Sequence, residues 1–174
     1  LSGEIFKHLE SGVRVSWMKS EEDIEGDHYF EKDIPGNTRR VEPGYLKRPN
    51  DQRINLSVFF QDQAFRNPSY KVHLNLVYGS AMPVGPSRTE RYLDVFRIPA
   101  YKRADIGFSK EVVPPHGGAK RFKSLKLYAG VFNLFDQTNT GSYLWIKDVE
   151  HNQYAVPNYL SGRLLNIKVI GRIH

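Results

Sequence analysis

Apolar and polar residues alternate along much of this chain with a period of two, the mark of strands whose faces meet different surroundings. From Arg53 to Gln61, Ile54, Leu56, Val58 and Phe60 fall on one face, and Arg53, Asn55, Ser57 and Gln61 on the other; Phe59 is the exception. Tyr70 to Tyr78 sets Val72, Leu74 and Leu76 against Lys71, His73 and Asn75. Lys102 to Val112 sets Ala104, Ile106 and Phe108 against Arg103, Asp105 and Ser109. Leu125 to Asn133 sets Leu125, Leu127, Ala129 and Val131 against Lys126, Tyr128, Gly130 and Phe132. The last run opposes Leu165, Ile167, Val169 and Ile173 to Asn166, Lys168 and Arg172, with Ile170 out of phase. Near the start, Val13, Val15 and Trp17 alternate with Arg14 and Ser16. Glu10-Ser11-Gly12 is read as the turn before them, and Gly3 to Leu9 as the end of a further strand. No stretch carries helical periodicity, so the pattern predicts an all-β chain.

The connections differ as much as the strands agree. "DQAFRNPS" and "PPHGGAKR" are short and rich in Pro, Gly and Asn, as turns require. "IEGDHYFEKDIPGNTRRVEPGYLKRPN", "GSAMPVGPSRTERYLDVFRIPA" and "DQTNTGSYLWIKDVEHNQYAVPNYLS" are long. Short and long alternate, whereas loops beyond about 12–15 residues are uncommon within compact soluble domains. Membrane barrels combine short periplasmic turns with long extracellular loops. Aromatic residues gather at the long-connection ends: Tyr78, Tyr101, Phe135, Tyr143, Trp145 and Tyr159, with Tyr45, Tyr92, Phe96 and Tyr154 near them. Such rings form an interfacial girdle in membrane barrels; in a soluble protein they would pack within loops or stack on sugars.

Two surroundings fit the alternation. In lipid, every backbone polar group must pair within the protein, so strands survive there only in a closed barrel. Ile54, Leu56, Val58, Val72, Leu74, Leu76, Ile106, Phe108, Leu125, Leu127, Ile167 and Val169 would then face acyl chains. Asn55, Lys71, His73, Arg103, Asp105, Lys126 and Lys168 would face a lumen. A charge at the lipid midplane costs roughly 2–4 kcal/mol, which accounts for charges that recur on one face alone. A soluble barrel or sandwich binding a ligand or glycan would turn the apolar face inward instead. A small standalone membrane barrel is a third architecture, requiring Gly3 to Leu9 to be a full strand.

Composition narrows these options only in part. The 174 residues are 40% hydrophobic and 13% aromatic, a folded rather than a disordered composition. No apolar run reaches the roughly 18 residues of a spanning helix. The absence of cysteine removes disulfides and thiolate metal sites. A net charge of +6 suits a solvated surface or attraction to phosphate-rich partners. The chain opens at Leu1 without a leader pattern, which reads as a cut through a longer chain.

The segments "RPNDQRINLSVFFQD", "YKVHLNLVYGSAMPVGP", "FRIPAYKRADIGFSKEV", "LKLYAGVFNLFDQTNTGSYLWI" and "YAVPNYLSGRLLNIKV" follow one another in order. Together they resemble the C-terminal barrel strands of TonB-dependent outer-membrane receptors. The resemblance is particularly to the Bacteroidota type, which carries a carboxypeptidase-regulatory-like N-terminal extension. The most specific pieces are "RIPAYKRADIGFS", "VFNLFD" followed by "YLW", and "PNYLSGR". The resemblance implies an antiparallel up-and-down transmembrane β-barrel of about 22 strands, of which this chain supplies about six to eight. It also implies a bacterial outer-membrane location and energy-coupled nutrient uptake. The implied partners are membrane lipid and lipopolysaccharide, the plug domain of the same full-length chain, and TonB through an N-terminal part. A surface lipoprotein docking on the loops is left open. Two features depart from the family: neither plug nor TonB-contacting segment is present, and the chain ends in "IGRIH" where such barrels usually end in an aromatic. A partial wall of this size would leave two open strand edges.

No catalytic or cofactor-binding pattern emerges. His8, His28, His73, His116, His151 and His174 are dispersed without metal-ligand spacing. "HGG" at 116–118 precedes no helix pattern, so a phosphate loop is not expected. Arg39, Arg40, Lys47 and Arg48 cluster in the first long connection, as a solvated loop or a contact for lipopolysaccharide phosphates. Basic residues are spread over many elements rather than in one stripe, which argues against nucleic acid. Arg103 and Asp105, two apart on one face, are expected to join a lumen-side network.

Overall fold

The computed structural model describes residues 2–6, 9–32, 36–63, 67–85, 96–112 and 122–173. All regular elements among them are strands. In chain order they are β1 (Ser2–Phe6), β2 (Leu9–Trp17), β3 (Glu21–Glu22), β4 (Tyr29–Lys32), β5 (Thr38–Val41), β6 (Leu46–Lys47), β7 (Ile54–Gln63) and β8 (Tyr70–Gly79). Then come β9 (Met82–Val84), β10 (Phe96–Ile98), β11 (Tyr101–Val112), β12 (Phe122–Phe132), β13 (Thr140–Lys147), β14 (Gln153–Tyr159) and β15 (Leu164–Ile173).

Seven of these form one sheet in the order β1-β2-β7-β8-β11-β12-β15. Every pairing in it is antiparallel. Strands thus follow chain order once the residues between them are set aside, an up-and-down arrangement. The expected runs appear within one to three residues of their predicted limits. One expectation is corrected at the N-terminus: Glu10, Ser11 and Gly12 are strand residues of β2, paired with Gln61, Phe60 and Phe59. Gly12 has neighbours on both sides, so its flexibility does not make a turn, and the reversal lies between Phe6 and Leu9.

Register explains why the alternation persists from strand to strand. Val15 lies opposite Leu56, Leu56 opposite Tyr78, Leu76 opposite Ala104, Ile106 opposite Val131 and Val131 opposite Leu165. Because side chains alternate, a slip of one residue in any pair would scatter this apolar set onto both faces. None occurs along β7, β8 and β11, where the registers are continuous.

The short connections (β1 to β2, β7 to β8, β11 to β12) lie at one end of the sheet and the long ones at the other. The described parts of the long ones contain further strands. Residues 18–53 hold the β3–β6 and β4–β5 ribbons, residues 80–100 hold β9–β10, and residues 133–163 hold β13–β14. "TNTGSYLWI", which reads as an open polar loop, is largely β13. The "PPHGGAKR" turn, His8, His116, His174 and Tyr92 lie outside the described residues.

Candidate functional site

The two faces of the seven-stranded sheet are the chemical feature of the molecule. On one stand all twelve residues expected to face lipid: Ile54, Leu56 and Val58; Val72, Leu74 and Leu76; Ile106 and Phe108; Leu125 and Leu127; Ile167 and Val169. No described element covers this face. Among the described residues, Ala104, at 6% exposure, is the sole buried hydrophobic. Leu165 and Ile167 are each 81% exposed and Trp17 85%. In water, leaving this much contiguous apolar surface bare forfeits roughly 25 cal/mol for every Å².

The apolar stripe has polar and aromatic ends. On β8, Tyr70 and Tyr78 bracket Val72, Leu74 and Leu76 on the same face. On β11, Lys102 and Lys110 bracket Ala104, Ile106 and Phe108. The brackets coincide, since Tyr78 pairs with Lys102 and Tyr70 with Lys110. At the short-connection end the Lys110 Nζ lies 4.9 Å from the centre of the Tyr70 ring, a cation–π distance. At the long-connection end the exposed Phe135 lies beside Lys102 and Ala104. The alternation already puts Lys102 and Lys110 on the Ala104 face, and the register adds that they stand level with Tyr78 and Tyr70. Tyr70 was legible merely as a strand residue.

The opposite face is polar and internally bonded. Asn55, Lys71, His73, Arg103, Asp105, Lys126 and Lys168 all fall on it. The expected Arg103–Asp105 pairing is present: Arg103 Nε donates to Asp105 Oδ1 across 2.6 Å. The same oxygen accepts the Asn133 backbone N–H at 2.9 Å, and Oδ2 accepts Asn75 Nδ2 at 3.4 Å. Asp105 is buried beneath these donors, so its charge is compensated on several sides. The Arg103 guanidinium also lies 5.1 Å from the Phe132 ring centre.

Lower on this face, His73 Nε2 and Ser109 Oγ share a hydrogen bond of 2.9 Å. The Tyr128 ring lies beside His73, with Lys168 Nζ 5.5 Å from its centre. Phe59 and Phe132, the apolar residues among polar neighbours, join His73, Asn75, Asp105, Tyr128 and Lys168 around an open hollow of about 380 Å³. Lys71 and Lys126 stand apart from the Arg103–Asp105 pair, so the polar set makes more than one cluster.

Two further sets were not foreseen from the residues. Asn133 adopts a left-handed φ of 52°, which asparagine tolerates well, and its side chain bonds both the N–H and the C=O of Gln137 at 2.9 Å. Asn139 bonds Lys102 in the same two-sided way, with Oδ1 accepting the Lys102 N–H at 2.9 Å and Nδ2 donating to its C=O at 2.8 Å. At the base of the first long connection Asp51 is fully buried; it accepts the Ser20 N–H at 2.8 Å and Arg53 Nε at 2.9 Å. Arg53 Nη2 reaches Glu21 at 3.3 Å. Burial opposes the Asp51 charge, but these donors, with the charges of Arg53 and Lys47, hold its carboxyl below the usual range.

Of the remaining aromatics, Tyr143 and Trp145 lie on β13 and meet Phe96 of β10 at ring separations of 5.0 and 5.9 Å. They join two ribbons rather than bordering the apolar stripe. Tyr159 ends β14, and Tyr101 begins β11 on the polar face. No described group of histidine and carboxylate residues has the arrangement of a metal site. Comparison with family models, curated proteins and solved structures finds no match to this chain.

Proposed function

We propose that this chain is part of the wall of an energy-coupled outer-membrane receptor, with one face toward lipid and the other toward a lumen. The observation that carries the reading is the in-register apolar face, left uncovered along the sheet and closed at both ends by Tyr and Lys. Tyr70 and Tyr78 are separated by about 26 Å of strand at ~3.3 Å per residue. A strand tilted by about 40° gives roughly 20 Å along the membrane normal, near the apolar height of bacterial barrels. Bare apolar surface that is costly in water is favourable against acyl chains. A soluble barrel would need that surface covered, and no described element packs on it.

Under this reading the long connections and their ribbons extend outward, where they contribute to ligand capture. The polar face borders the passage. Remaining strands, a plug and a TonB-contacting segment belong to a longer receptor, as the resemblance to TonB-dependent receptors implies. The role is transport rather than catalysis, and it requires no cofactor of this chain.

Leu74→Arg and Asn75→Arg in the full-length receptor test the assignment, since these neighbours occupy opposite faces and Leu74 lies midway between Tyr70 and Tyr78. Arginine at Leu74 should cost roughly 2–4 kcal/mol at mid-depth and sharply reduce the heat-modifiable, membrane-integrated fraction. Arginine at Asn75 should leave that fraction near wild type. Equal effects, or recovery of the protein from the soluble fraction without detergent, would refute the proposal.

A further inference from the structure

Two hollows interrupt the apolar face, each over a small side chain. One, of about 490 Å³, lies over Ala129 between Phe108 and Ile167. The other, of about 360 Å³, has Ala104 as its floor, with Val58 and Leu76 on one side and Phe135 on the other. Tyr78, Lys102 and Gln137 also line this second hollow. Lys102 is exposed and has no carboxylate partner among the described residues. Lys110, the cation at the opposite end, packs over Tyr70 and borders neither hollow.

An apolar trough ending in a free ammonium group matches an acyl chain that carries a phosphate. The chain would lie over Ala104, while the phosphate would meet Lys102 where its long stem reaches the headgroup layer. Tyr78 and Gln137 supply hydrogen-bond donors at the same height. Long connections mark this end as the outer one, so the fitting lipid is that of the outer leaflet. Resting on the lipid-facing reading, we infer that the hollow over Ala104 seats one acyl chain of lipid A, with a glucosamine phosphate held by Lys102.

The test is reconstitution of the full-length receptor that carries this chain in phosphatidylethanolamine nanodiscs, titration with purified lipid A, and native mass spectrometry to count retained lipid. Wild type should retain lipid A at one saturable site. Lys102→Glu and Ala104→Leu should each weaken retention by about fivefold or more, the scale of one basic residue at a lipid surface. Lys102→Arg should preserve binding, and Ala129→Leu should leave it unchanged. Dephosphorylated lipid A on wild type should bind as weakly as lipid A on the Lys102→Glu variant. Retention unaffected by both Lys102→Glu and Ala104→Leu in properly inserted protein would overturn the lipid A site while leaving the lipid-facing wall standing. Failure of wild type to enter nanodiscs would overturn both.

Discussion

Tyr128 lies over a place where two glycines face each other across the β11–β12 pair. Gly107 pairs with Gly130, and a Cβ added at either would overlap the Tyr128 ring. The glycines provide the space, and the ring covers backbone that they leave bare. Gly107→Ala should therefore displace the ring and cost about 1 kcal/mol, an effect that largely vanishes in a Tyr128→Ala background. Unfolding of the two single variants and the double variant measures that coupling. Additive costs would mean that the ring and glycines act independently. The sequence displays Gly107, Tyr128 and Gly130 on the polar face, but only pairing brings Gly107 to the other two. Arg103 and Asp105 were legible for the opposite reason: residues two apart on one strand share a face before any partner is known.

At the scale of elements, the strands were readable and the folded connections were not. A strand beside two neighbours must repeat its pattern for as long as its faces differ, so β7, β8, β11 and β12 declare themselves, and β15 at the end of the sheet keeps the same alternation. The ribbons are short and exposed, with no buried face to enforce a period; β3 and β6 have two residues each. The β3–β6 ribbon is tied down by Asp51, whose bonds to Ser20 and Arg53 a linear pattern cannot reveal. Since the Asp51 carboxyl is depressed below its ordinary value of 3.8, its charge favours the folded connection above that value. That contribution is lost as pH falls below 3.8 and through the depressed value. Hydrogen exchange in residues 18–53, corrected for intrinsic rates, should accelerate over this acid interval. Asp51→Asn should exchange quickly already at neutral pH and lose the acid-dependent step; a wild-type step that survives in this variant would assign it to another group.

At the scale of the molecule, the two tryptophans report on different surroundings. Trp17 extends the apolar face at its long-connection end, whereas Trp145 belongs to the β13 ribbon and packs near Phe96. In the full-length receptor, freed of every tryptophan but Trp17 and placed in vesicles with brominated lipids, Trp17 should be quenched most by bromines near the headgroups. Trp145, kept alone in the same way, should be quenched weakly at every depth. Strong quenching of both would place the ribbon in lipid and contradict the outward orientation of the long connections. The boundary between wall and ribbon depends on Asn139. Its side chain completes the backbone bonding of Lys102, while its own carbonyl accepts the Leu160 N–H at 2.9 Å to close the β13–β14 segment. One residue thus hems the sheet and fastens the ribbon, so that neither needs the other's hydrogen bonds. Such a seam would let the β13–β14 segment be exchanged as a cassette, its length and residues changing while the strand register beneath it stays the same.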